Sequence, residues 1–305
     1  MSDAAAIAAT PPSVACFGEI LWDSLPDGLF PGGAPFNVAY HLQHHDLTPH
    51  VISAVGRDVL GDELLRRLAA WSLPLDTVAR HPHLPTGIVR AHIGDRGDAK
   101  YEIVTGVAWD EIPATEAAAR AMSQARAFVF GSLAQRTPQN RATFVRLLAA
   151  LPRDALRVFD VNLRPPFDDL RRVRQLAAHA TLLKLNATEA ARLADAPATE
   201  GHEESHAAKL AADTGCPCVV ITSGARGAGL WRDGRWHWEP AQPVTVTDTI
   251  GAGDAFLASL IAHLLSGQHT DAYSLARACR LGEWVATQRG ATPAYAGAAD
   301  LRAKL

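Results

Sequence analysis

The sequence predicts an α/β fold: a largely parallel central sheet with helices on both faces and a small β-sheet lid. Short apolar runs alternate with amphipathic stretches along most of the 305 residues, the pattern of strands joined by helical crossovers. Between residues 84 and 110 that alternation gives way to β-type residues set among polar and glycine positions, which read as antiparallel strands set apart from the rest. No internal repeat and no Pro- or Ser-rich linker divides the chain. One domain over 13–305, preceded by a loose tail at 1–12, is therefore expected.

In order along the chain, 14–20 reads as a buried strand closed by Gly18-Glu19. Residues 23–33 read as a turn-rich stretch, punctuated by Pro26, Gly28, Pro31 and Gly32-Gly33. A helix is expected over 36–45 and a strand over 51–55. Leu60, Leu64, Leu65 and Leu68 have the spacing of a surface helix over 58–70. The segment G-D-R-G-D at 94–98 looks like a hairpin turn. Further strands are expected at 127–130, 157–161, 182–185 and 218–222, with helices near 138–150, 168–178, 187–195 and 203–214. Trp231, Trp236 and Trp238 flank the turn Asp233-Gly234 and read as a hairpin on the edge of the sheet. The apolar run 255–265 reads as a buried helix.

A net charge of −3 offers no field for nucleic acid or a membrane surface. The N-terminus lacks the basic start of a signal peptide, and no stretch approaches a membrane span. Four cysteines do not make a disulfide framework, and Cys216 and Cys218 lack the further ligands of a zinc site. A reducing cytoplasm fits them. His41, His44 and His45 have a spacing compatible with a metal, but nothing else in the chain supports one, so an ordinary helix face is the reading. No Walker A pattern occurs, and G-x-x-G-x-G at 224–229 is not the dinucleotide fingerprint.

Chemistry concentrates in T-D-T-I-G-A-G-D-A-F-L-A-S at 247–259. Small residues at Gly251, Ala252 and Gly253 leave the backbone amides uncovered ahead of a helix, a site that favours phosphate. Asp254 repels phosphate, so binding alone does not explain it. It can accept the proton of a hydroxyl while the amides stabilise a transferring phosphoryl group. The alternative is that Asp254 caps a helix beginning at Ala255.

Asp248-Thr249-Ile250-Gly251-Ala252-Gly253-Asp254 resembles the D-T-x-G-A-G-D pattern of the ribokinase-like (PfkB) carbohydrate kinases. Gly32-Gly33-Ala34-Pro35-Phe36-Asn37-Val38-Ala39 resembles their N-terminal glycine motif. Asp160-Val161-Asn162-Leu163-Arg164, Lys184-Leu185-Asn186-Ala187-Thr188-Glu189 and Thr222-Ser223-Gly224-Ala225-Arg226-Gly227 follow in the family's order and spacing. The likeness covers about 13–295.

The resemblance implies a ribokinase-like fold with lid segments at about 21–31 and 84–110, and an ATP- and magnesium-dependent sugar kinase. By it, Gly32, Gly33 and Asn37 bind the sugar, where glycines admit hydroxyls to the backbone and an amide meets a diol. Asp23 is a candidate for a bidentate hydroxyl contact, while a helix-entry turn at 31–35 is the plainer alternative. Asn186 and Glu189 lie near the ATP phosphates, Glu189 holding magnesium through water, or else they form a helix capping box. Thr222, Gly224 and Gly227 line the nucleotide groove. Arg164 clamps a phosphate or substrate oxygen, or makes a surface salt bridge. Asp248 and Ile250 match half of a potassium site, although Ala294 stands where some relatives carry a hydroxyl.

Gly18-Glu19-Ile20-Leu21-Trp22-Asp23 and Val107-Ala108-Trp109-Asp110 look like the fructokinase branch, which implies fructose as substrate. 2-Keto-3-deoxygluconate is the alternative, its carboxylate meeting Arg164. A binding regulator built on the kinase fold and a vitamin phosphotransferase are the readings of other kinds. The family's lid pairing implies a homodimer.

Overall fold

The structure is a computed structural model that describes residues 11–25, 28–93 and 99–295. The expected tail, apart from Pro11 and Pro12, and the expected turn at 94–98 lie outside the described residues. The strands are β1 (Ser13–Phe17), β2 (Leu21–Leu25), β3 (Gly28–Gly32), β4 (Thr48–Gly56), β5 (Val78–His81), β6 (Gly87–Ile93), β7 (Ala99–Ile103), β8 (Ala125–Gly131), β9 (Leu156–Asp160), β10 (Leu182–Asn186), β11 (Cys218–Thr222), β12 (Gly227–Arg232) and β13 (Arg235–Pro240). The helices are α1 (Ala34–Leu42), α2 (Val59–Ala70), α3 (Glu116–Gln124), α4 (Pro138–Ala150), α5 (Leu170–Ala177), α6 (Ala187–Leu193), α7 (Glu203–Thr214), α8 (Ala252–Ser266) and α9 (Asp271–Ala286).

The large sheet runs β13-β12-β11-β10-β9-β8-β1-β4-β5. It is parallel except for β12 and β13, which fold back as an antiparallel edge hairpin. Trp236 of that hairpin lies over Gly229, where a Cβ would fall 2.0 Å from its ring. Strands buried on both faces explain the unbroken apolar runs. Val14 and Cys16 point into one core, with Phe36, Leu257 and Leu260. Ala15 and Phe17 point into the other, with Phe128, Phe130, Phe144 and Phe159. Helices therefore cover both faces. Burying each phenylalanine fully is worth about 1.5–3 kcal/mol.

Residues 21–25 and 28–32 correct the expectation of a turn. They form the hairpin β2–β3, which joins β6 and β7 in a separate sheet of order β3-β2-β6-β7. Gly28 and Pro31 fall within β3 without preventing it, because β3 is an outer strand, where a missing N–H is tolerated. The chain returns from this lid at Val107 and Trp109, which are buried in the body. There Arg136 lies 3.9 Å over the Trp109 ring and grips Asp110 at 2.6 and 2.8 Å.

All four cysteines are free and buried. His41 lies on a buried face of α1: its Nδ1 meets the Tyr295 hydroxyl at 2.7 Å and its Nε2 the Ala291 carbonyl at 2.9 Å. No helix among the described residues is long and apolar enough to cross a membrane.

Candidate active site

Parallel strands deliver their carboxyl ends to one edge of the sheet, where open α/β folds place ligands. Gly18-Glu19 follows β1, Asp160 ends β9, Asn186 ends β10 and Thr222 ends β11. The lid hairpin and the start of α8 stand over the same edge.

The loop that opens α8, expected to bind an anion, is tighter than its sequence implied. Gly251 is left-handed at φ +80° and is itself the N-cap of α8, with no side chain capping it. A Cβ at Gly251 would lie 2.5 Å from the Ala291 Cα. The helix begins at Ala252, three residues before the apolar run, because Ala252 and Gly253 extend it without adding hydrophobicity. Asp254 thus sits in the first turn and is not the cap. First-turn amides lack intrahelical acceptors and carry the positive end of the helix dipole.

Asp254 faces the N-terminal glycine motif at 32–39. Its Oδ2 accepts a 2.8 Å hydrogen bond from Asn37 Nδ2. Burial, together with the Asp160 carboxylate, pushes the Asp254 carboxyl up to about 7; Lys184, the Asn37 bond and Arg164 oppose that rise. Gly33, at φ +114°, is the N-cap of α1, and a Cβ there would lie 2.3 Å from the Glu19 carbonyl oxygen. A Cβ at Gly32 would meet Asp23 Oδ2 at 2.2 Å, so only glycine lets that carboxylate lie along the backbone. Asp23 is raised to about 6, mainly by burial, with Arg164 pulling the other way. A cleft of about 190 Å³ lies between lid and loop, lined by Asp23, Phe30, Thr247, Asp248, Ile250 and Arg289 among others.

Residues 17–296 match the pfkB family carbohydrate kinases. The chain belongs to that family. It is 28% identical over 288 residues to an uncharacterized sugar kinase of Pyrococcus horikoshii, covering 90% of each chain. A fructokinase of Rhizobium leguminosarum bv. trifolii is 28% identical over 268 residues, 82% of this chain and 79% of that one. Among solved structures, fructokinase from Vibrio cholerae O395 in a fructose-, ADP- and calcium-bound form superposes with a TM-score of 0.78. It is 22% identical, with 93% of this chain and 96% of that one covered. The fold is ribokinase-like.

On the other flank of this carbohydrate kinase's cleft, Asn186 and Glu189 form the capping box of α6. Asn186 Oδ1 accepts from the Glu189 amide at 2.9 Å, and Glu189 Oε2 accepts from the Asn186 amide at 2.9 Å. Glu189 Oε1 also accepts from the Leu163 amide at 2.7 Å, which fixes the loop after β9. Thr222 ends its strand beside Asn186. Gly224 is left-handed at φ +57° with open space around it. Gly227 is required for a different reason: a Cβ would meet the Glu239 carbonyl of β13 at 2.1 Å. Arg226 is tied to Glu203.

Arg164 is exposed and donates to its neighbour's carbonyl, Leu163 O, at 3.1 Å. It makes no ion pair among the described residues, and its charge bears on Glu19, Asp23 and Asp254. The Asp248 carboxylate accepts from the amides of Ile250 at 3.0 Å and Gly290 at 3.1 Å, joining the loop to the segment after α9.

Three groups went unassigned in the sequence. Lys184 and Asp160 form a buried ion pair at 3.0 Å, and Glu19 is buried with Oε1 accepting from the Ala34 amide at 3.2 Å. Glu19 Oε2 and Asp160 Oδ2 have no hydrogen-bond partner among the described residues. Burial is the first cause that raises the Glu19 carboxyl. The available signal was a charge inside or closing an apolar strand, as in L-L-K-L-N.

Proposed function

We propose that the chain transfers the γ-phosphoryl group of ATP to fructose, giving fructose 6-phosphate. The observation that carries this reading is the Asn37–Asp254 hydrogen bond. It brings the two glycine motifs, 217 residues apart, to one point, with a hydroxyl-binding side and an anion-binding side.

In this reading the sugar lies against Gly32 and Gly33, its hydroxyls meeting Asn37 and Asp23. Asp254 takes the proton of the attacking hydroxyl. A carboxyl poised at about 7 suits that work near neutral pH. The amides of Gly251, Ala252, Gly253 and Asp254 hold the transferring phosphoryl charge. Asn186, Thr222, Gly224 and Gly227 flank the nucleotide, and Arg164 reaches a substrate or phosphate oxygen. The lid keeps water from competing with the sugar.

Magnesium, when bound, neutralises phosphate charge. Glu189 fits an indirect hold on it, since each carboxylate oxygen already accepts one amide and retains a lone pair for water. Potassium would sit by Asp248 and Ile250. The homodimer would form through the lid, whose outer strands are β3 and β7.

Fructose is preferred over an acid sugar on charge. Glu19, Asp23, Asp160 and Asp254 crowd the site, and Lys184 is already matched to Asp160. The exposed Arg164 favours 2-keto-3-deoxygluconate as the second reading. The fructokinase relative and the fructose- and ADP-bound neighbour support the first. The free buried cysteines suit a cytoplasmic setting.

The test is coupled ADP release from Mg-ATP with fructose, 2-keto-3-deoxygluconate, ribose, glucose, adenosine and pyridoxal. Fructose should give the highest kcat/KM. Preference for another sugar would overturn the substrate, and silence across the set with ATP bound would favour a binding regulator.

A further inference from the structure

Lys184 is the third residue of a strand whose neighbours Leu183 and Leu185 are completely buried, and it is itself only 7% exposed. Taking an ammonium and a carboxylate out of water costs several kcal/mol each, and an apolar pair of similar volume is often as stable. Packing alone therefore gives no reason for a charged pair here. Its surroundings do. Asp160 is the register partner of Lys184 across β9 and β10, and the Nζ–Oδ1 distance is 3.0 Å. On its other side, Nζ lies 3.1 Å from the point where a Cβ at Gly253 would stand. The absence of a side chain in the anion loop is what lets the ammonium approach it.

We propose that the Lys184–Asp160 pair is a positioning device for phosphoryl transfer, in which the Lys184 ammonium, set by Asp160 against the loop at Gly253, keeps the adjoining Asp254 in its carboxylate form. The proposal rests on the reading of Asp254 as the proton acceptor. Lys184 stays protonated: burial pulls it down, but the carboxylates of Asp160, Asp254 and Glu189 outweigh burial and hold it above the ordinary lysine value.

The groups facing Asp254 act with opposite signs. Asp160 from β9 raises its carboxyl, whereas Lys184 from β10, Arg164 from the loop after β9 and the neutral Asn37 amide from α1 lower it. Further out, Glu189 of α6 faces Lys184, and Glu19 after β1 faces Asp160 and Arg164. The two members of the pair therefore displace Asp254 in opposite directions, which a purely structural pair would not do.

The experiment is a ¹³C NMR titration of the full chain labelled at the aspartate carboxyl carbon, with the Asp254 resonance identified by its loss in Asp254→Asn. Lys184→Met should move the Asp254 midpoint up by about one pH unit, and Asp160→Asn should move it down, the scale of one close charge on a buried carboxylate. Lys184→Arg should restore the wild-type midpoint. With fructose and Mg-ATP, Lys184→Met should lose about fivefold in turnover at pH 7 and regain it in alkali, as a one-unit displacement requires. Midpoints that stay fixed, or that move the same way, overturn the proposal.

If Lys184→Met does not fold, Asp160→Asn and the double variant decide the matter. The double variant, which leaves no buried charge unmatched, must titrate above Asp160→Asn; equal midpoints overturn the idea. An inactive Asp254→Asn with fixed midpoints would sink only this proposal. An active Asp254→Asn would sink the reading beneath it.

Discussion

Asp254→Asn should make the protein more stable while removing its activity. The carboxyl moves from the ordinary 3.8 to about 7 on folding. At 1.36 kcal/mol per pH unit, that rise corresponds to about 4 kcal/mol of unfavourable ionisation. The figure is a ceiling, because the cleft admits water; about 2 kcal/mol is the expected gain. The sign follows from proton uptake. Between pH 4 and 7 the folded state holds the proton more tightly than the unfolded chain, so stability falls as pH rises. Below about 4 the group is protonated in both states and contributes nothing. The variant's advantage should therefore be small at pH 4.5, grow to pH 7 and then level off. Asparagine keeps an oxygen for the Asn37 amide, so the hydrogen bond at 2.8 Å is retained. Urea denaturation at pH 4.5, 6 and 8 reads the gain, and a thermal midpoint about 3 °C higher should accompany it at pH 8. ADP release should fall by about 10²–10⁴-fold. A variant no more stable at pH 8 than at pH 4.5, relative to the parent, would refute the claim that burial strains this carboxylate.

Other expectations concern the frame around the site. Gly251→Ala forces a side chain onto a left-handed residue facing the Ala291 backbone, and the left-handed backbone alone costs about 1–2 kcal/mol. Its denaturant midpoint should fall more than that of Gly253→Ala, where the backbone is already helical and the nearest atom to a Cβ, Lys184 Nζ, is farther off at 3.1 Å. Glu189→Ala leaves the amides of Leu163 and Asn186 without an acceptor and should cost about 1–3 kcal/mol in denaturant melts. His41 is pulled down to about 3, first by burial, so the folded state resists protonation there. Stability should decline as pH drops below about 6.5, and His41→Gln should flatten that limb in thermal melts. Tyr295→Phe removes the hydroxyl bonded to His41, and amide hydrogen exchange over 287–293 should quicken.

Much of this frame was legible because its signals are local. The helices at 138–150 and 203–214 were placed to the residue. Thr137 caps the first by accepting from the Asn140 amide, and left-handed Gly215 ends the second. Strands β9, β10 and β11 lie within a residue of their apolar runs, since a strand covered on both faces is apolar over most of its length. The residues of 23–33 by themselves read as a turn because of their prolines and glycines, and the lid segment at 21–31 came from the family resemblance alone; α9 was hidden by a buried stripe that includes Ser274 and Gly282.

The sequence by itself determined the fold class, the two glycine motifs and Asp254 as an anomalous carboxylate in an anion loop. Only the tertiary structure decided that Asn37 touches Asp254, that Glu189 Oε1 accepts from the Leu163 amide, and that Lys184 stands beside Gly253. Those contacts join α1, the loop after β9, β10, α6 and α8, segments far apart in the chain. Periodicity and capping act over a few residues, whereas the charge environment of a carboxylate is set by whatever folding brings within a few ångströms of it.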